Sequence, residues 1–316
     1  MPMGLQAINN KEPAGGVIHV IKNGNPDAKN SQAVWKQVMR ELKGKRIAYN
    51  LHETRYPGHA KEIAEDILTA TGARTVIAVL GGDGTIHEVV NGIRPFPQAV
   101  LVAIPAGSGN DFARGIQGSG KWKDSIALLD GEHNGEKADC DGRTIHFVNS
   151  IGIGLDAAIC GAVNRSKWKK RFQAIRMGRF IYLYYVLKEL FLFKTFALKA
   201  EVDGKRMEFS NVWFMVAANQ PYFGGGMKIA PEARGDDHKL HVLIVKDVSP
   251  FQFLLLFTTV LWGRHTGLRW VNAFTCTSIS VESEDSSVPV QADGELIGHK
   301  ACAVTILPEA LNIRTI

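Results

Sequence analysis

The first half of the chain alternates between two hydrophobic periods. Val17–Lys22 is a short apolar run that predicts a strand. Over Ser31–Leu42, Val34, Trp35, Val38, Met39 and Leu42 recur at helical spacing and predict one apolar face. Arg46–Tyr49 reads as a short strand, and His59–Thr71 as a helix with Ile63, Ile67 and Leu68 on one side. Thr75–Leu80 is continuously apolar, as expected of a strand covered on both faces. A helix over Thr85–Gly92 and a strand over Ala99–Ile104 complete the series. Such alternation predicts an α/β domain: a parallel sheet with helices on both faces.

From about Ala138 the pattern changes. Thr144–Asn149, Phe196–Val202, Val212–Asn219, Leu240–Lys246, Ser278–Glu282, Val288–Ala292 and Ala303–Leu307 read as strands at short spacing. Turn residues punctuate them, among them Asp203-Gly204, Gly224-Gly225-Gly226 and Asp293-Gly294. This predicts an antiparallel β-sandwich or barrel, interrupted by helical stretches near Lys167–Phe193 and Pro250–Trp262. The expected domains are 1–138 and 139–307, with the tail 308–316 packing back on the first.

A chain of 316 residues suits two domains, and 45% apolar with 22% charged residues is ordinary for a globular protein. Gly is about a tenth of the chain (32 residues), which predicts many tight turns or ligand loops. A net charge of +6 permits an anionic partner without selecting one. Cys140, Cys160, Cys276 and Cys302 lie far apart, which argues against a zinc cluster or a disulfide framework and for reduced thiols. The N-terminus carries no signal-peptide pattern. The longest apolar runs, Phe180–Phe193 and Phe253–Trp262, are too short to span a bilayer. A cytoplasmic protein, soluble or bound to a membrane surface, is expected.

The sharpest chemical signal is Gly81-Gly82-Asp83-Gly84-Thr85, between a buried strand and a helix. Glycines let main-chain N–H groups approach a phosphate, and the helix N-terminus adds a positive dipole end. Asp83 beside phosphate needs a cation, for which Mg²⁺ is suited; otherwise Asp83 caps the helix in an ordinary turn. A second loop, Pro105–Arg114, follows the next strand, either as a facing half of one ligand crevice or as an Asx turn leading into a helix. Asp293-Gly294-Glu295 follows an alternating strand and brings two carboxylates to one turn. It suits a general base for transfer to an alcohol, or an ordinary Asp-Gly hairpin.

Together these segments resemble the diacylglycerol kinase catalytic domain superfamily, in its bacterial soluble lipid kinase branch. The resemblance rests on GGDGT with IHEVVNG, on PAGSGNDFAR, on Thr54–Ala60, on Phe147–Ala157, on Asn219–Pro231 and on Gln291–Glu295. It covers about residues 17–307. It implies an ATP- and Mg²⁺-dependent lipid kinase with diacylglycerol as the leading acceptor. Nucleotide contacts would come from Asn23, Thr54, Gly81, Gly82, Asp83, Gly84, Thr85, Glu88, Gly107, Ser108 and Asn110. Asp293, Glu295 and Asp83 would carry the chemistry, with either Asp293 or Glu295 as base. A structural Mg²⁺ would sit on Asp237 and the main-chain carbonyls of Arg234 and Lys239. Two departures stand out: Asn23-Gly24-Asn25-Pro26-Asp27 replaces the family's N-P-x-x-G, and His238 stands where Gly is usual.

Arg165, Lys167, Lys169, Lys170, Arg171, Arg176 and Arg179 carry no acid among them and interleave with Trp168 and Phe172. With Phe180–Phe193, and Phe251–Trp262 as a second contact, they suit an anionic membrane surface, or else amphipathic helices packed on the sandwich. The acceptor and partner is then a membrane lipid, with the protein at the inner face of the membrane. No nucleic-acid motif accompanies the cluster, and a homodimer is left open. Alternatives are an NAD kinase-like enzyme, or a non-catalytic membrane-surface regulator that keeps the fold.

Overall fold

The structure, a computed structural model, describes residues 17–25, 29–117, 131–140, 143–166, 178–235 and 237–314. They divide into two compact units. One runs to Ala113 and takes in Leu311–Arg314; the other takes in Asn134–Ala310 with Arg114–Ile116.

The first unit contains β1 (Ile18–Lys22), α1 (Lys29–Gly44), β2 (Tyr49–Glu53), α2 (His59–Thr71), β3 (Thr75–Gly81), α3 (Asp83–Ile93) and β4 (Ala99–Pro105), after which α4 (Asp111–Gln117) begins. Its strands lie in the order β2-β1-β3-β4, all parallel. Helix α1 sets Val34, Val38 and Leu42 on Val20, Ala78, Leu80, Val102 and Ile104. The alternate positions Ile21, Ile77, Val79, Leu101 and Ala103 are equally buried. Both faces are therefore covered, which is why β3 and β4 are apolar throughout.

Strand β2 starts at Tyr49 and not at Arg46. Arg46 has φ 55° and closes the end of α1, donating its N–H to the carbonyl of Lys43. A residue in that region cannot open a strand. Helix α3 starts at Asp83, two residues before the expected Thr85, because Gly82 is its extended N-cap.

The second unit holds β5 (Gly131–Cys140), β6 (Arg143–Phe147), β7 (Ser150–Gly154), α5 (Leu155–Arg165), α6 (Gly178–Leu192), β8 (Phe196–Val202), β9 (Lys205–Ala218), β10 (Leu240–Lys246) and α7 (Pro250–Val260). It ends with β11 (Val271–Cys276), β12 (Ser278–Ser283), β13 (Pro289–Ala292), β14 (Glu295–His299) and β15 (Ala301–Arg314). The order is β14-β13-β7-β9-β8-β12-β15, with β10 also on β9. Every one of these pairings is antiparallel. At the end of β15, Ile313 and Arg314 pair in parallel with β4.

Strand β9 explains the two layers. Val212, Met215 and Ala217 enter a core between strands with Ile151, Leu198 and Val290. Phe214, Val216 and Ala218 face the helices, packing with Leu155, Val186 and Phe253. The strand starts seven residues before the expected Val212. That extension is polar, but Lys199 opposes Glu208 and Glu201 opposes Arg206 across β8, and such opposite-charge pairs stabilise an exposed hairpin. The expected helix over Lys167–Phe193 is seen as α6, and Lys167–Met177 lies outside the described residues.

Candidate functional site

In the first unit, the carboxyl ends of the parallel strands bring the two glycine loops into contact. A Cβ added to Gly107 would lie 2.4 Å from Gly82 Cα, so only glycine permits this approach. Ala106 N–H donates to the Gly81 carbonyl at 2.8 Å. No side chain caps α3 at Gly82, so its first turn stays available to an anion. Asn23 and Thr54 border the same edge. Asn23 Nδ2 donates to Thr85 Oγ1 at 3.4 Å, and Gly24 N–H donates to Thr54 Oγ1 at 3.1 Å. In the departing stretch, with Gly24 where the family has Pro, Asn23 sits in an Asx turn, its Oδ1 accepting from Asn25 N–H; Pro26 and Asp27 lie outside the described residues.

Several candidate nucleotide residues also hold the loops together. Asp83 Oδ1 accepts the Phe112 N–H at 2.9 Å, tying GGDGT to the start of α4. Asn110, at φ 56°, closes its own loop by accepting from Gly107 N–H and donating to the Gly107 carbonyl. Glu88 Oε2 accepts the Ala60 N–H at the start of α2. Thr85 is buried, whereas Ser108 and Gly84 are exposed. Among the described residues, no group of three or more His, Cys, Asp or Glu side chains makes a metal cage. Asp83 supplies a carboxylate at the loop, as Mg²⁺ carried by phosphates plus one or two carboxylates would need.

In the second unit, Asp293 (φ 48°) and Gly294 (φ 87°) form the two-residue turn between β13 and β14. The carboxylate does more than a turn requires. Oδ2 accepts from Val148 N–H at 2.9 Å, and Oδ1 accepts from Asn149 and Ser150 N–H at 2.8 and 3.2 Å. Three main-chain donors therefore fix it against the start of β7. Glu295 is exposed on β14.

Two residues that the sequence reading passed over stand behind that turn. Gln291, 1% exposed, accepts the Gly294 N–H on Oε1 at 2.7 Å and donates from Nε2 to Asp156 Oδ2 at 3.1 Å. Asp156 is 5% exposed and lines an apolar cavity with Ile159, Val186, Phe214 and Phe253. The free space is about 40 Å³, enough for a few waters and too small for an acyl chain at rest. Asp156 Oδ1 has no hydrogen-bond partner of ordinary geometry, although the first-turn amides of Asp156 and Ala157 lie close enough to favour its charged form. The signal available in sequence was a carboxylate inside the apolar run Ile151–Ile159.

Burial pushes the Asp156 carboxyl up to about 7, with the Gln291 amide opposing the shift. The native protein then holds a proton that the unfolded chain releases from about pH 4. Stability contributed by the neutral acid is lost as pH rises from about 4 through about 7, by a few kcal/mol in the limit. Urea unfolding across that window should show the loss in the native chain, and Asp156→Asn should remove this part of the slope.

The loop around Asp237 is tied by main-chain donors. Asp237 N–H donates to the Arg234 carbonyl, and Lys239 N–H donates to Asp237 Oδ1 at 3.0 Å. His238 takes φ 54°, so the position does require the conformation that glycine favours. His241 Nε2, however, stands 2.9 Å from Asp237 Oδ2, where a cation would approach. With His241 there, the residues as arranged do not fit a bound metal.

Helices α6 and α7 leave an apolar surface. Tyr184, Phe191, Leu192, Phe251, Leu255 and Trp262 are each more than half exposed, and the rings of Phe191 and Phe251 meet at 6.1 Å. Exposed Lys188, Arg264 and Arg269 are close in sequence to these residues. The basic cluster 167–177 lies outside the described residues, and the side chain of Arg179 is likewise not described. Among the described residues, no helix is long and apolar enough to cross a membrane. Cys160, Cys276 and Cys302 are free thiols.

Comparison with known proteins gives two family matches. Residues 17–139 match the diacylglycerol kinase catalytic domain, and residues 149–315 match the YegS C-terminal NAD kinase beta sandwich-like domain. The chain is 31% identical over 302 residues to a Bacillus subtilis protein named "Putative lipid kinase YtlR", covering 92% of this chain and 97% of that one. It is 26% identical over 258 residues to a protein named diacylglycerol kinase from Mycobacterium tuberculosis, covering 79% of this chain and 80% of the relative. A solved structure described as "a putative diacylglycerol kinase" from Bacillus anthracis superposes with a TM-score of 0.72 at 22% identity. It covers 95% of this chain and 97% of its own, and at that identity it supports the fold alone.

Proposed function

The chain belongs to the lipid kinase family that joins a diacylglycerol kinase catalytic domain to a YegS-type β-sandwich domain, and from that membership we propose that it transfers the γ-phosphoryl group of ATP to the hydroxyl of a membrane lipid, diacylglycerol first. The observation that carries the reading is the contact of Gly82 with Gly107 beside the uncapped start of α3. It offers a polyphosphate the main-chain N–H groups of a helix start that no side chain caps.

In this reading the loop Gly81–Thr85, with Asn23, Thr54, Gly107 and Ser108, holds the nucleotide phosphates. Asp83 is the carboxylate that would hold a Mg²⁺ brought with ATP, and the ion would supply positive charge to the transferring group. Asp293 takes the acceptor's hydroxyl proton, in a position set by three main-chain amides. Glu295 orients the acceptor. The direct test is transfer from γ-labelled ATP to lipids in mixed micelles, with and without a chelator. Label in the lipid extract, lost on chelation, is expected.

The apolar face of α6 and α7 docks on an anionic bilayer, with Lys188, Arg264 and Arg269 meeting headgroups. The triple change Phe251→Ser, Leu255→Ser, Trp262→Ser should weaken binding to phosphatidylglycerol-containing vesicles by at least about tenfold. Turnover on a short-chain, soluble diacylglycerol should remain. Flotation of vesicles with bound protein checks the first, and the soluble assay the second.

A further inference from the structure

We propose that Asp156 and Gln291 are positioning residues for Asp293, forming a buried relay that sets the turn on which the base stands. The inference rests on the kinase reading for its consequence, and on geometry for its existence. Gln291 has one rotamer's worth of partners: its amide oxygen takes the Gly294 N–H and its nitrogen finds Asp156 Oδ2. Reversing the amide would set an NH₂ against the Gly294 N–H, so the Gly294 donor fixes which end of Gln291 faces the carboxyl. Asp156 sits in the first turn of α5, which follows β7 directly. The same β7 strand begins at Ser150, one of the three donors to Asp293. Asp293 is thus held from the front by the start of β7 and from behind by Asp156 through Gln291 and Gly294.

Gly152 shows that this contact governs the local sequence. A Cβ there would lie 1.8 Å from Asp156 Oδ2 and 2.9 Å from Gln291 Nε2. Glycine is needed at 152 for the carboxyl and the amide to meet, although its φ is not in the left-handed region. The relay is dry. Both side chains are nearly inaccessible, and Asp156 lines a cavity that is otherwise apolar. In such surroundings a hydrogen bond is strong, and an unpaired partner is costly.

A purely structural pair would change stability and leave turnover alone. A positioning pair changes kcat at unchanged KM for ATP, because the nucleotide is held elsewhere. Gln291→Leu and Asp156→Leu should lower kcat on diacylglycerol micelles by about 10- to 100-fold. Asp156→Asn keeps an acceptor oxygen for Gln291 and should stay close to the native rate. Gly152→Ala should be slow, and adding Asp156→Ala, which removes the nearest clash and leaves the one with Gln291 Nε2, should make its further effect smaller than the sum. Amide exchange of Gly294, read by NMR without lipid or nucleotide, gives a readout independent of catalysis. It should speed up in Gln291→Leu and Asp156→Leu and hold in Asp156→Asn. The proposal is overturned if Gln291→Leu keeps both the native kcat and the native Gly294 protection. It is equally overturned if Asp156→Asn is as slow as Asp156→Leu, since then the charge and not the hydrogen bond matters. Should the native protein phosphorylate no lipid, the kinase reading fails, and the exchange pattern still supports or overturns the relay.

Discussion

Asp293→Asn should lower phosphoryl transfer by about 10²- to 10⁴-fold, the range a general base contributes, while ATP binding remains. The carboxylate accepts three main-chain N–H groups through both of its oxygens. An amide offers one acceptor oxygen, so either orientation turns an NH₂ group onto an N–H donor. The proton acceptor is lost and the turn is loosened together, at about 1–3 kcal/mol of stability. Calorimetric ATP titration and thermal melting, run beside the rate, separate the two effects. Glu295→Gln is the necessary comparison. Glu295 is exposed, so its change should leave stability alone. If Glu295→Gln slows transfer more than Asp293→Asn does, the base is Glu295 and Asp293 is the anchor of its turn.

Gly107→Ala should weaken ATP binding by roughly 5- to 150-fold, the equivalent of about 1–3 kcal/mol of overpacking. Its new methyl would press on Gly82 Cα, and main chain cannot swing aside as a flexible side chain does. The loops would part, and with them the N–H groups that face the phosphates. Gly44→Ala, at the end of α1 and outside both loops, is the control, because a Cβ there meets nothing within 4 Å. Calorimetry on both variants gives the comparison. Equal affinity of Gly107→Ala and the native chain would remove the paired loops from nucleotide binding.

The parts of the molecule that were legible in sequence are those whose causes are local. Helix α2 keeps the bounds His59–Thr71 that its periodicity predicts, closed by Gly72 at φ 59°. The glycine loop between β3 and α3 was visible because a strand, its glycines and a helix start are consecutive. Even there one role changes. Asp83 needed a cation to explain it in sequence, yet in the fold it also accepts the Phe112 N–H. The Asp-Gly turn was visible too, but not its function as a clamp, because its partners Val148, Asn149 and Ser150 are more than 140 residues away. Gln291 and Asp156 escaped for the same reason, being 135 residues apart. Strand β2 was expected too early, over Arg46–Tyr49, because it is half polar and Arg46 hid the turn that delays it. The cavity beside Asp156 is assembled from α5, α6, α7 and β9, and no periodicity reports it.

The measurement that bears most directly on the whole account is a competition for label. The purified protein is given γ-labelled ATP, a divalent cation, micelles of diacylglycerol, phosphatidylglycerol, sphingosine and ceramide, and soluble NAD, with Asp293→Asn alongside. The account predicts label in one lipid, diacylglycerol first, dependent on the cation and lost in the variant. Label in NAD instead, or ATP bound with no label in any lipid, would contradict it.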